Sequence, residues 1–589
     1  MSYSEDQSWK WLIEKGIDWD KIIPLYYPSF PTEDGIESKE ELIQFFHELL
    51  SSTSDWAEGP LKERASLLDE HGAGEVKDGK TYPNEHLKAF YKDCAELGVF
   101  GLPFPRNCGG LHAPASLSLV IMGQIAKYCV ASSTQFAFFA SIGDMVYRFL
   151  DEEEAKETLP KIASGEISGS MCLTEPGSGS DLSKIKTIAS PTEEGHYLLN
   201  GSKLFITNAG GGLQFVLAKV KGAPDTLEGL SLFYVKQDDP LKEGLNYHVV
   251  KDEEKMGMHG SFTCEVLYEN TVGRLVGKEG EGFKIMLHLM NEARIAVGMQ
   301  GLGGIEGSLA LASQYASERS QFDRNLKDLP LFKRNFDDLQ FEFEGIKALL
   351  VDTISTYDQF QVYDLKKTKT DDLSEEEKQE YKRVKAIVRK RTPLVKFYAC
   401  EQFTNMSKIC LQLFGGYGFI KEYPIERLHR DSFGPLLYEG TSQIQALMTL
   451  KDLVKEILTT PKSFFDNIIE HTLSGNPLTS ALSSQSKEEK HFHKLSSQYY
   501  KNVLLLLFGE LKPDWNLIHK SEQWQRPEAI DGLMQHAETI AWARSYLETL
   551  DVLKNHAEID EARSEYYWNY VKVVEPRLMS IFHDWKLRR

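Results

Sequence analysis

The spacing of apolar residues changes twice along the chain, and this pattern constrains the fold more than any other feature. From Ser38 to about Gly165, segments such as "SKEELIQFFHELL" carry apolar residues three and four positions apart, which is typical of amphipathic helices. From about Ile167 to Val276 the chain shows short alternating runs separated by Gly, Asn, Asp and Pro, which predict β-strands. Helical spacing returns near Glu281. We therefore expect a β domain between two helical domains.

Helical spacing also continues beyond residue 460, in segments such as "YYKNVLLLLFGEL" and "EYYWNYVKVVEPRLMSIF". The predicted fold class is therefore α+β, with several domains. The sequence predicts an N-terminal extension with helices (1–84), an N-terminal helical domain (85–166), a middle β domain (167–280), a C-terminal helical domain (281–459) and an extra helical domain (460–589).

The net charge of −20 limits the partners that the chain attracts. An acidic surface repels nucleic acid and anionic lipid, and the 18 Lys and Arg after residue 450 are balanced by 20 Asp and Glu. Seven cysteines without a C-x-x-C pair predict neither a disulfide framework nor a metal site. The N-terminus matches no secretory or transit signal, and no apolar run approaches the ~20 residues of a membrane span. We expect a cytoplasmic protein with no nucleic-acid partner and no stable membrane insertion.

A lone carboxylate, Glu439, stands in the apolar segment "LLYEGTSQIQALMTL", just before a run with helical spacing. Two interpretations fit this residue. Its charge could complement the dipole of the following helix, with Ser442 and Gln445 forming a capping box. It could instead be a base beside a substrate, partly shielded from water, because burial raises the pKa of a carboxyl group.

Two segments rich in glycine and hydroxyl groups are candidates for ligand contact. In "MCLTEPGSGSD", residues 171–181, small residues let a backbone approach a flat or anionic ligand, although the same residues also form ordinary turns. In "KLFITNAGGG", Phe205 and Thr207 are expected on one side of a strand. An aromatic wall beside a hydroxyl suits a planar ring; a buried strand end is the other interpretation.

Further candidates lie in the second helical region. Arg294 falls on the same helix face as apolar Met290 and Val297, so its guanidinium must find a partner in the interior, in a site or in a structural ion pair. Arg319 in "ASERSQFD" and the glycine pair in "LQLFGGYGF" are able to hold an anion. Surface arginines and glycines at helix ends are also common without a ligand.

Seven segments, taken in order, resemble the acyl-CoA dehydrogenase family of flavoproteins across about residues 85–455. They are "LPKIASGEISGSMCLTEPGSGSD", "KLFITNAG", "EEKMGMHGSFTCEVLYEN", "GRLVGKEGEGFKIM", "ASERSQF", "LQLFGGYGF" and "LLYEGTSQIQ". The resemblance implies a helical N-terminal domain, a middle β-barrel or sandwich and a C-terminal four-helix bundle. It also implies an FAD cofactor and an acyl-CoA substrate.

The resemblance implies site residues in this chain at the positions that match the motifs of the family. Those expected at FAD are Met171, Cys172, Leu173, Thr174, Gly179, Ser180, Phe205, Ile206, Thr207, Arg319, Phe322, Gln412, Phe414, Gly415, Gly416, Thr441, Ser442 and Gln443. Those expected at the substrate are Ser180, Asn291, Arg294 and Gly440. Phe205 stands where the family often has Trp, and Asp323 where it often has Gly. Because family members share each FAD between two subunits, a homodimer or larger homo-oligomer is implied.

The resemblance also implies a reaction, with Glu439 and Arg294 as its catalytic residues. Glu439 would remove the α proton of the acyl-CoA, its backbone N–H would help to stabilise the enolate oxygen, and hydride would pass to flavin N5, with Thr207 as the donor to N5. The product would be a trans-2-enoyl-CoA, as in fatty acid β-oxidation, and an electron-transfer flavoprotein would accept the electrons. Some branches carry the base immediately before the position of Arg294, but here that residue is Ala293.

The extra C-terminal domain and the segment "NEARI" resemble a large bacterial branch that includes 3-methylthiopropionyl-CoA and long-chain acyl-CoA dehydrogenases. Two other activities stay open for such a chain. One is an acyl-CoA oxidase, in which O₂ reoxidises the flavin. The other is a non-catalytic, DNA-associated member, whose basic terminal domain is at odds with the balanced charge after residue 450.

Overall fold

A helical layer forms the N-terminal part of the protein in the computed structural model, which describes residues 3–476, 484–511 and 527–587. Polar N-caps begin several of its helices: Ser38, Asn84 and Asp151 each accept a hydrogen bond from a backbone N–H in the first turn. The helices are α1 (Gln7–Trp11), α2 (Trp19–Tyr26), α3 (Lys39–Trp56), α4 (Lys62–His71), α5 (Glu85–Glu96), α6 (Ala115–Tyr128), α7 (Val130–Phe149) and α8 (Glu152–Ala163). Single π-helical turns at Leu12–Gly16 and Ala57–Leu61 follow α1 and α3.

A small β-hairpin interrupts this layer, where the sequence pattern had indicated only helix. Strands β1 (Gly74–Lys77) and β2 (Lys80–Pro83) pair antiparallel through a two-residue turn. Both turn residues have positive φ, 50° at Asp78 and 79° at Gly79. An Asp-Gly pair is a strong signal for this kind of tight hairpin. The local sequence therefore contained enough information to predict the hairpin.

The middle of the chain forms a closed β structure, as predicted. Its strands are β3 (Ser168–Cys172), β4 (Ile188–Pro191), β5 (Tyr197–Thr207), β6 (Gly212–Val220), β7 (Leu230–Lys236), β8 (His248–Asp252) and β9 (Thr263–Val276). The strand order is β3-β6-β4-β5-β9-β7, and β7 pairs back to β6, which closes the sheet; β8 pairs with β9. Closure leaves few free strand edges.

Long helices form the predicted helical domain after the sheet. They are α9 (Gly282–Glu318), α10 (Pro330–Lys369), α11 (Glu375–Leu413), α12 (Pro424–Asp431), α13 (Phe433–Leu437) and α14 (Ser442–Thr459), with short strands β10 (Ser320–Gln321) and β11 (Arg324–Asn325) after α9. Glycines on α9 permit close helix contacts: a Cβ at Gly301 would lie 3.1 Å from Ala399, and one at Gly303 would lie 2.1 Å from the Gly123 carbonyl. Close backbone approach therefore compensates for their low helix propensity.

Helix α9 is long and apolar enough to span a membrane by length and composition alone. However, 83% of its most apolar window is buried against other parts of the protein. Its position in the interior therefore accounts for its hydropathy.

The extra C-terminal region is helical in its described parts. Its helices are α15 (Pro461–Ser474), α16 (Lys487–Leu511), α17 (Pro527–Met534), α18 (Ala537–Ile559) and α19 (Ser564–Leu587). Helices α18 and α19 pack on α10, where Arg577 donates to the buried carboxylate of Glu342 at 2.7 and 2.8 Å. The N-terminal extension joins the same region, because Trp11 Nε1 donates to Asp560 at 2.9 Å. Residues 477–483 and 512–526 of the predicted extra domain lie outside the described residues.

Candidate active site

Glu439 lies in a short reversal between α13 and α14, in a backbone conformation that few residues adopt. Its φ is +57°, and φ at Gly440 is +89°. A non-glycine residue in this left-handed region costs about 1–2 kcal/mol and persists only where the surroundings impose it. Backbone strain at this position is therefore an observation that points to a site.

Side chains from three helices hold this reversal by donating to its carbonyl groups. From α9, Arg294 Nε donates to the Glu439 carbonyl at 3.3 Å. From α11, Lys396 Nζ donates to the Gly440 carbonyl at 2.9 Å and to a preceding carbonyl at 3.2 Å. From α14, Gln445 Nε2 donates to the carbonyls of Glu439 and Gly440 at 2.9 and 3.0 Å. Two of the donors, Arg294 and Lys396, are cationic. They therefore restrain the backbone and also make the electrostatic potential around Glu439 more positive.

The carboxyl group of Glu439 has an unusual acidity for a glutamate. Its side chain is half-buried, and burial raises its pKa from 4.5 to about 7, against the opposing effect of Arg294 and Lys396. Within the part of the chain that the structure describes, no group accepts a hydrogen bond from the Glu439 N–H. Glu439 thus combines a carboxyl group whose pKa lies near 7 with a backbone N–H that is available as a hydrogen-bond donor.

The helix that follows is not capped as the capping-box interpretation required. Thr441 is the N-cap of α14, and its side chain accepts from Ile444 N. Ser442 is already inside the helix, and its buried hydroxyl has no hydrogen-bond partner among the described residues. Gln445 turns back to the Glu439 reversal instead. The capping box was therefore wrong, and Ser442 Oγ is left as a buried polar atom suited to a ligand.

Arg294 is 3% exposed and lies beside Glu439, as the sequence suggested. Its Nη1 donates to Asn291 Oδ1 at 3.1 Å, and burial lowers its pKa, with Glu439 acting in the opposite direction. Among the residues described, no carboxylate forms a salt bridge with it. The structure therefore brings Asn291, Arg294, Glu439 and Gly440 together, without the structural ion pair that was the alternative.

The loop at 171–181 is shaped by an ion pair that sequence reasoning missed. Lys203 Nζ donates to Glu175 Oε1 at 2.8 Å and to the Leu173 carbonyl at 2.8 Å, and both charged side chains are buried. Burial works against the charge on Glu175, but Lys203 lowers the pKa of that carboxyl below its usual value. The charged residues in "TEPG" and "KLFIT" were the only local signal for this contact.

This loop lies directly beside the strand that carries Phe205. The Thr174 carbonyl accepts from Leu204 N at 2.9 Å, and a β-bulge interrupts β5 between Lys203 and Ile206. Phe205 has φ of +59° and is 61% exposed. An exposed aromatic ring in a strained backbone suits a planar ligand such as a flavin ring.

The remaining loop residues differ in what they offer a ligand. Ser180 is exposed, Thr174, Thr207 and Met171 are half-buried, and a Cβ at Gly179 would meet nothing within 4 Å. The side chains of Cys172, Leu173 and Ile206 are buried in the protein, so only their backbones are available. No hydrogen bond among the described residues links this loop to the Glu439 reversal. Gln443, next to the orphaned Ser442, is exposed.

A second cluster of expected FAD residues lies at the far end of α9. The Arg319 guanidinium stands 5.7 Å from the Tyr417 ring centroid, close to the exposed Gln412, Gly415 and Gly416. Phe414 is buried and stacks on a neighbouring tyrosine, whereas Phe322 is 86% exposed. At 1.5 Å per residue, Arg319 is ~38 Å along α9 from Arg294. Along α9 this cluster is therefore remote from Arg294 and from the Glu439 reversal that Arg294 contacts.

Glu292, the other acid on α9 considered as a base, is directed away from the Glu439 reversal. It accepts hydrogen bonds from Tyr357 at 3.0 Å and Gln361 at 3.3 Å, both on α10. Ser141 on α7 donates to it at 3.4 Å. Ala293, next to it on α9, has no acidic group, so Glu439 is the acid that lies beside Arg294 and Asn291.

Comparison with known proteins gives one consistent family. Three family models match consecutive parts of the chain: the acyl-CoA dehydrogenase N-terminal domain at residues 52–166, the middle domain at 170–271 and the C-terminal domain at 280–454. An acyl-CoA dehydrogenase of Bacillus subtilis (strain 168) is 31% identical over 368 residues, which are 62% of this chain and 89% of that protein.

Two further similarities bear on activity and on the full-length fold. An acryloyl-CoA reductase (NADH) of Anaerotignum propionicum is 29% identical over 402 residues, 67% of this chain and 92% of that protein. The crystal structure of an acyl-CoA dehydrogenase from Bacillus anthracis, complexed with FAD, has a TM-score of 0.73 at 22% identity. It covers 93% of this chain, and the match covers 88% of that protein. That match extends the shared fold beyond the three matched domains into the C-terminal region.

Proposed function

This chain belongs to the acyl-CoA dehydrogenase family of FAD-dependent oxidoreductases, and we propose that Glu439 is the base that removes the α proton of its acyl-CoA substrate. The observation that carries the proposal is the half-buried carboxyl group of Glu439. Burial raises the pKa of this group to about 7. A base is most effective when its pKa lies near the working pH. In this role the carboxylate takes the proton and holds it after the C–H bond breaks.

The surrounding residues would position the reacting groups. The Glu439 N–H, which has no acceptor among the described residues, is available to the thioester oxygen, where negative charge develops as the α proton leaves. Arg294, Lys396 and Gln445 restrain the carbonyls of the same reversal, so this donor is held in place before reaction. FAD, when bound, supplies the acceptor for the hydride from the β carbon. The product would be a trans-2-enoyl-CoA.

The chain offers suitable groups for FAD in two places. Phe205, Thr174, Thr207 and the orphaned Ser442 hydroxyl would meet the flavin end. The cluster around Arg319 would hold the phosphate and adenine end. Because ~38 Å of α9 separates the Arg319 cluster from Arg294, which contacts the Glu439 reversal next to Ser442, we propose that the second cluster comes from another copy, as in a homodimer. The 86% exposed Phe322 and 90% exposed Phe419 beside that cluster fit a surface covered by a partner.

The physiological acceptor would be an electron-transfer flavoprotein, and the location cytoplasmic. The acceptor follows from the resemblance to the family, and the location from seven cysteines whose spacing does not predict a disulfide framework.

Anaerobic titration tests the function. We expect protein that purifies with about one FAD per chain, and bleaching of its flavin absorbance by at least one member of an acyl-CoA panel. Correctly folded protein that takes up no FAD, or flavin that no acyl-CoA reduces, would contradict the proposal.

A further inference from the structure

The segment "EEKMGMHGSFT", residues 253–263, belongs to the motifs that indicated the family, but it supplies none of the residues expected at FAD or at the substrate. It connects strands β8 and β9 of the middle domain. We call residues 256–262 the bridging loop. Its contacts reach both the strand that carries Phe205 and Thr207 and the helices that precede Glu439.

The end of the bridging loop is tied to the strand proposed to face the flavin. The Phe262 carbonyl accepts a hydrogen bond from Asn208 N at 3.2 Å. The next residue, Thr263, begins β9 and pairs with Thr207 at the end of β5. This end of the loop is therefore fixed to the strand of Thr207.

The start of the bridging loop lies with its backbone against α12. Met258 N donates to Asp431 Oδ1 at 2.5 Å, and the Asp431 side chain is buried. A Cβ at Gly257 would lie 2.6 Å from the same oxygen and 3.0 Å from Asp431 N. Only glycine at this position lets the backbone of the loop approach α12 so closely.

The side chain of Met258 packs against the segment that leads to Glu439. A Cβ at Gly434, on α13, would lie 2.5 Å from Met258 Sδ and 3.2 Å from Tyr438 Cε1, so both side chains cover Gly434. The Tyr438 hydroxyl lies 4.0 Å from Met258 Sδ, and it donates to Gln300 Oε1 on α9. Because Tyr438 directly precedes Glu439, the Met258 side chain restrains the point at which the reversal begins.

The backbone of Met258 is strained. Its φ is +55°, in the left-handed region that is costly for a residue other than glycine. Ser261 N donates to the Met258 carbonyl at 3.1 Å and closes a turn, and the Met258 side chain is buried. A glycine would adopt this φ without strain. The strain therefore points to a role for the methionine side chain itself.

Helix α4 holds the bridging loop from the other side. His259 Nδ1 lies 3.1 Å from the Asp69 carbonyl, and Arg430 Nη2 donates to Asp69 Oδ2 at 2.7 Å. A Cβ at Gly260 would lie 2.8 Å from Leu68 Cβ. The loop is thus enclosed between α4 and α12, which leaves it little freedom to shift.

We propose that Met258 is a positioning residue that sets the spacing between Glu439 and the strand of Thr207. The reaction requires the base at the α carbon and the hydride acceptor at the β carbon of one bound substrate, so a small error in their spacing slows it. Met258 reaches the base through Tyr438, and the bridging loop reaches the flavin-facing strand through Phe262. The inference rests on the proposed function, in which Glu439 is the base and Thr207 meets the flavin.

Removing the Met258 side chain tests this role. Met258→Gly keeps the loop conformation, because glycine favours a positive φ, and it leaves Tyr438 free to shift. In anaerobic stopped-flow experiments the limiting rate of flavin reduction should fall at least ~10-fold, while the half-saturating acyl-CoA concentration changes less than about threefold. Met258→Leu refills most of the space and should return the rate to within about threefold of the parent.

Deuterium at the α carbon of the substrate distinguishes a misplaced base from a loss of folded protein. If Glu439 is misplaced, removal of the α proton limits the rate more strongly, so the α-deuterium isotope effect should be larger in Met258→Gly than in the parent. Loss of folded protein would lower the amplitude of bleaching and leave the isotope effect unchanged. An unchanged isotope effect together with a parent-like limiting rate overturns the role of Met258.

The flavin-free protein gives a test that does not depend on turnover. Met258→Ala removes the side chain but keeps the strained backbone, and Tyr438→Phe removes only the hydroxyl beside the thioether. In urea unfolding, the effects of these two changes should be non-additive, because the two side chains are in contact. Additive effects would show that Met258 does not act through Tyr438.

Two controls complete the design. Met258→Ala should slow flavin reduction as Met258→Gly does, so one folded variant is sufficient for the kinetic test. Met122→Ala removes another buried methionine side chain, on α6, and should lower stability without changing the limiting rate. Failure of Met258→Leu to restore the rate would contradict the proposal. If no acyl-CoA bleaches the flavin of the parent protein, the proposed function itself fails, which is a different result.

Discussion

Replacing Glu439 with Gln tests the proposed base most directly. The amide keeps the size of the side chain and the backbone N–H, and it removes the proton acceptor. Flavin reduction by a bound acyl-CoA should slow by at least ~10²-fold, the lower end of the contribution of a general base. Acyl-CoA binding should persist.

The acidity of Glu439 adds a pH dependence. Since the carboxylate is the active form and the pKa is about 7, flavin reduction with Glu439 in place should rise as the pH increases through about 7 and then level off. The small residual rate of Glu439→Gln should lack this step. Stopped-flow absorbance under anaerobic single-turnover conditions measures both.

The free energy of unfolding gives a second, independent test of the raised pKa of Glu439. Between pH 4.5 and about 7 the folded protein keeps the Glu439 proton that the unfolded chain has lost, so stability falls as the pH rises through this window. At 1.36 kcal/mol per pKa unit, the total is about 3 kcal/mol as an upper bound. Flavin-free Glu439→Gln should therefore be more stable than the parent at pH 8, and similar to it near pH 4.5. Urea unfolding at the two pH values measures the difference.

A charge that merely complements the helix dipole predicts the opposite result: a loss of up to ~1 kcal/mol at pH 8 with little change in rate. Glu292→Gln is the matched control on α9 and should still reduce its flavin. Wild-type rates for Glu439→Gln, together with slow reduction by Glu292→Gln, would refute the assignment of the base.

Three other outcomes are expected. Lys203→Met should destabilise the flavin-free protein by about 3–5 kcal/mol in urea at pH 7, because Glu175 stays buried and charged; if adding Glu175→Gln does not recover most of this loss, the ion pair is not its cause. Gly303→Ala should lower Tm and reduce the free energy of unfolding by about 1–3 kcal/mol, because its Cβ would lie 2.1 Å from the Gly123 carbonyl. Gly179→Ala is the control and should not lower Tm, because its Cβ would have nothing within 4 Å. Turnover with O₂ should be far slower than with a dye or an electron-transfer flavoprotein, since bound product shields the flavin, and comparable rates would favour an oxidase.

The sequence by itself determined the layers of the fold and the family. Apolar spacing reports which face of each local segment is buried, so the change from helical to alternating patterns near Ile167 and back near Glu281 located the sheet between helices. Ordered motifs pointed to the acyl-CoA dehydrogenase family and to Glu439. The hairpin after residue 73 was missed although its Asp-Gly turn was visible, because the surrounding helical spacing was given more weight.

Only the tertiary structure decided which side chains control the site. Lys396 reaches the Gly440 carbonyl across 44 residues of sequence, Lys203 reaches Glu175 across 28, and Ser141 reaches Glu292 across 151. Helix packing also directs Gln445 to the carbonyls of Glu439 and Gly440, and not into the capping box that was the alternative interpretation. Local propensity acts over one or two helical turns, whereas these partners are chosen by how distant helices and strands pack. For this reason the sequence could identify Glu439, but not the burial that raises its pKa or the side chains that restrain its backbone.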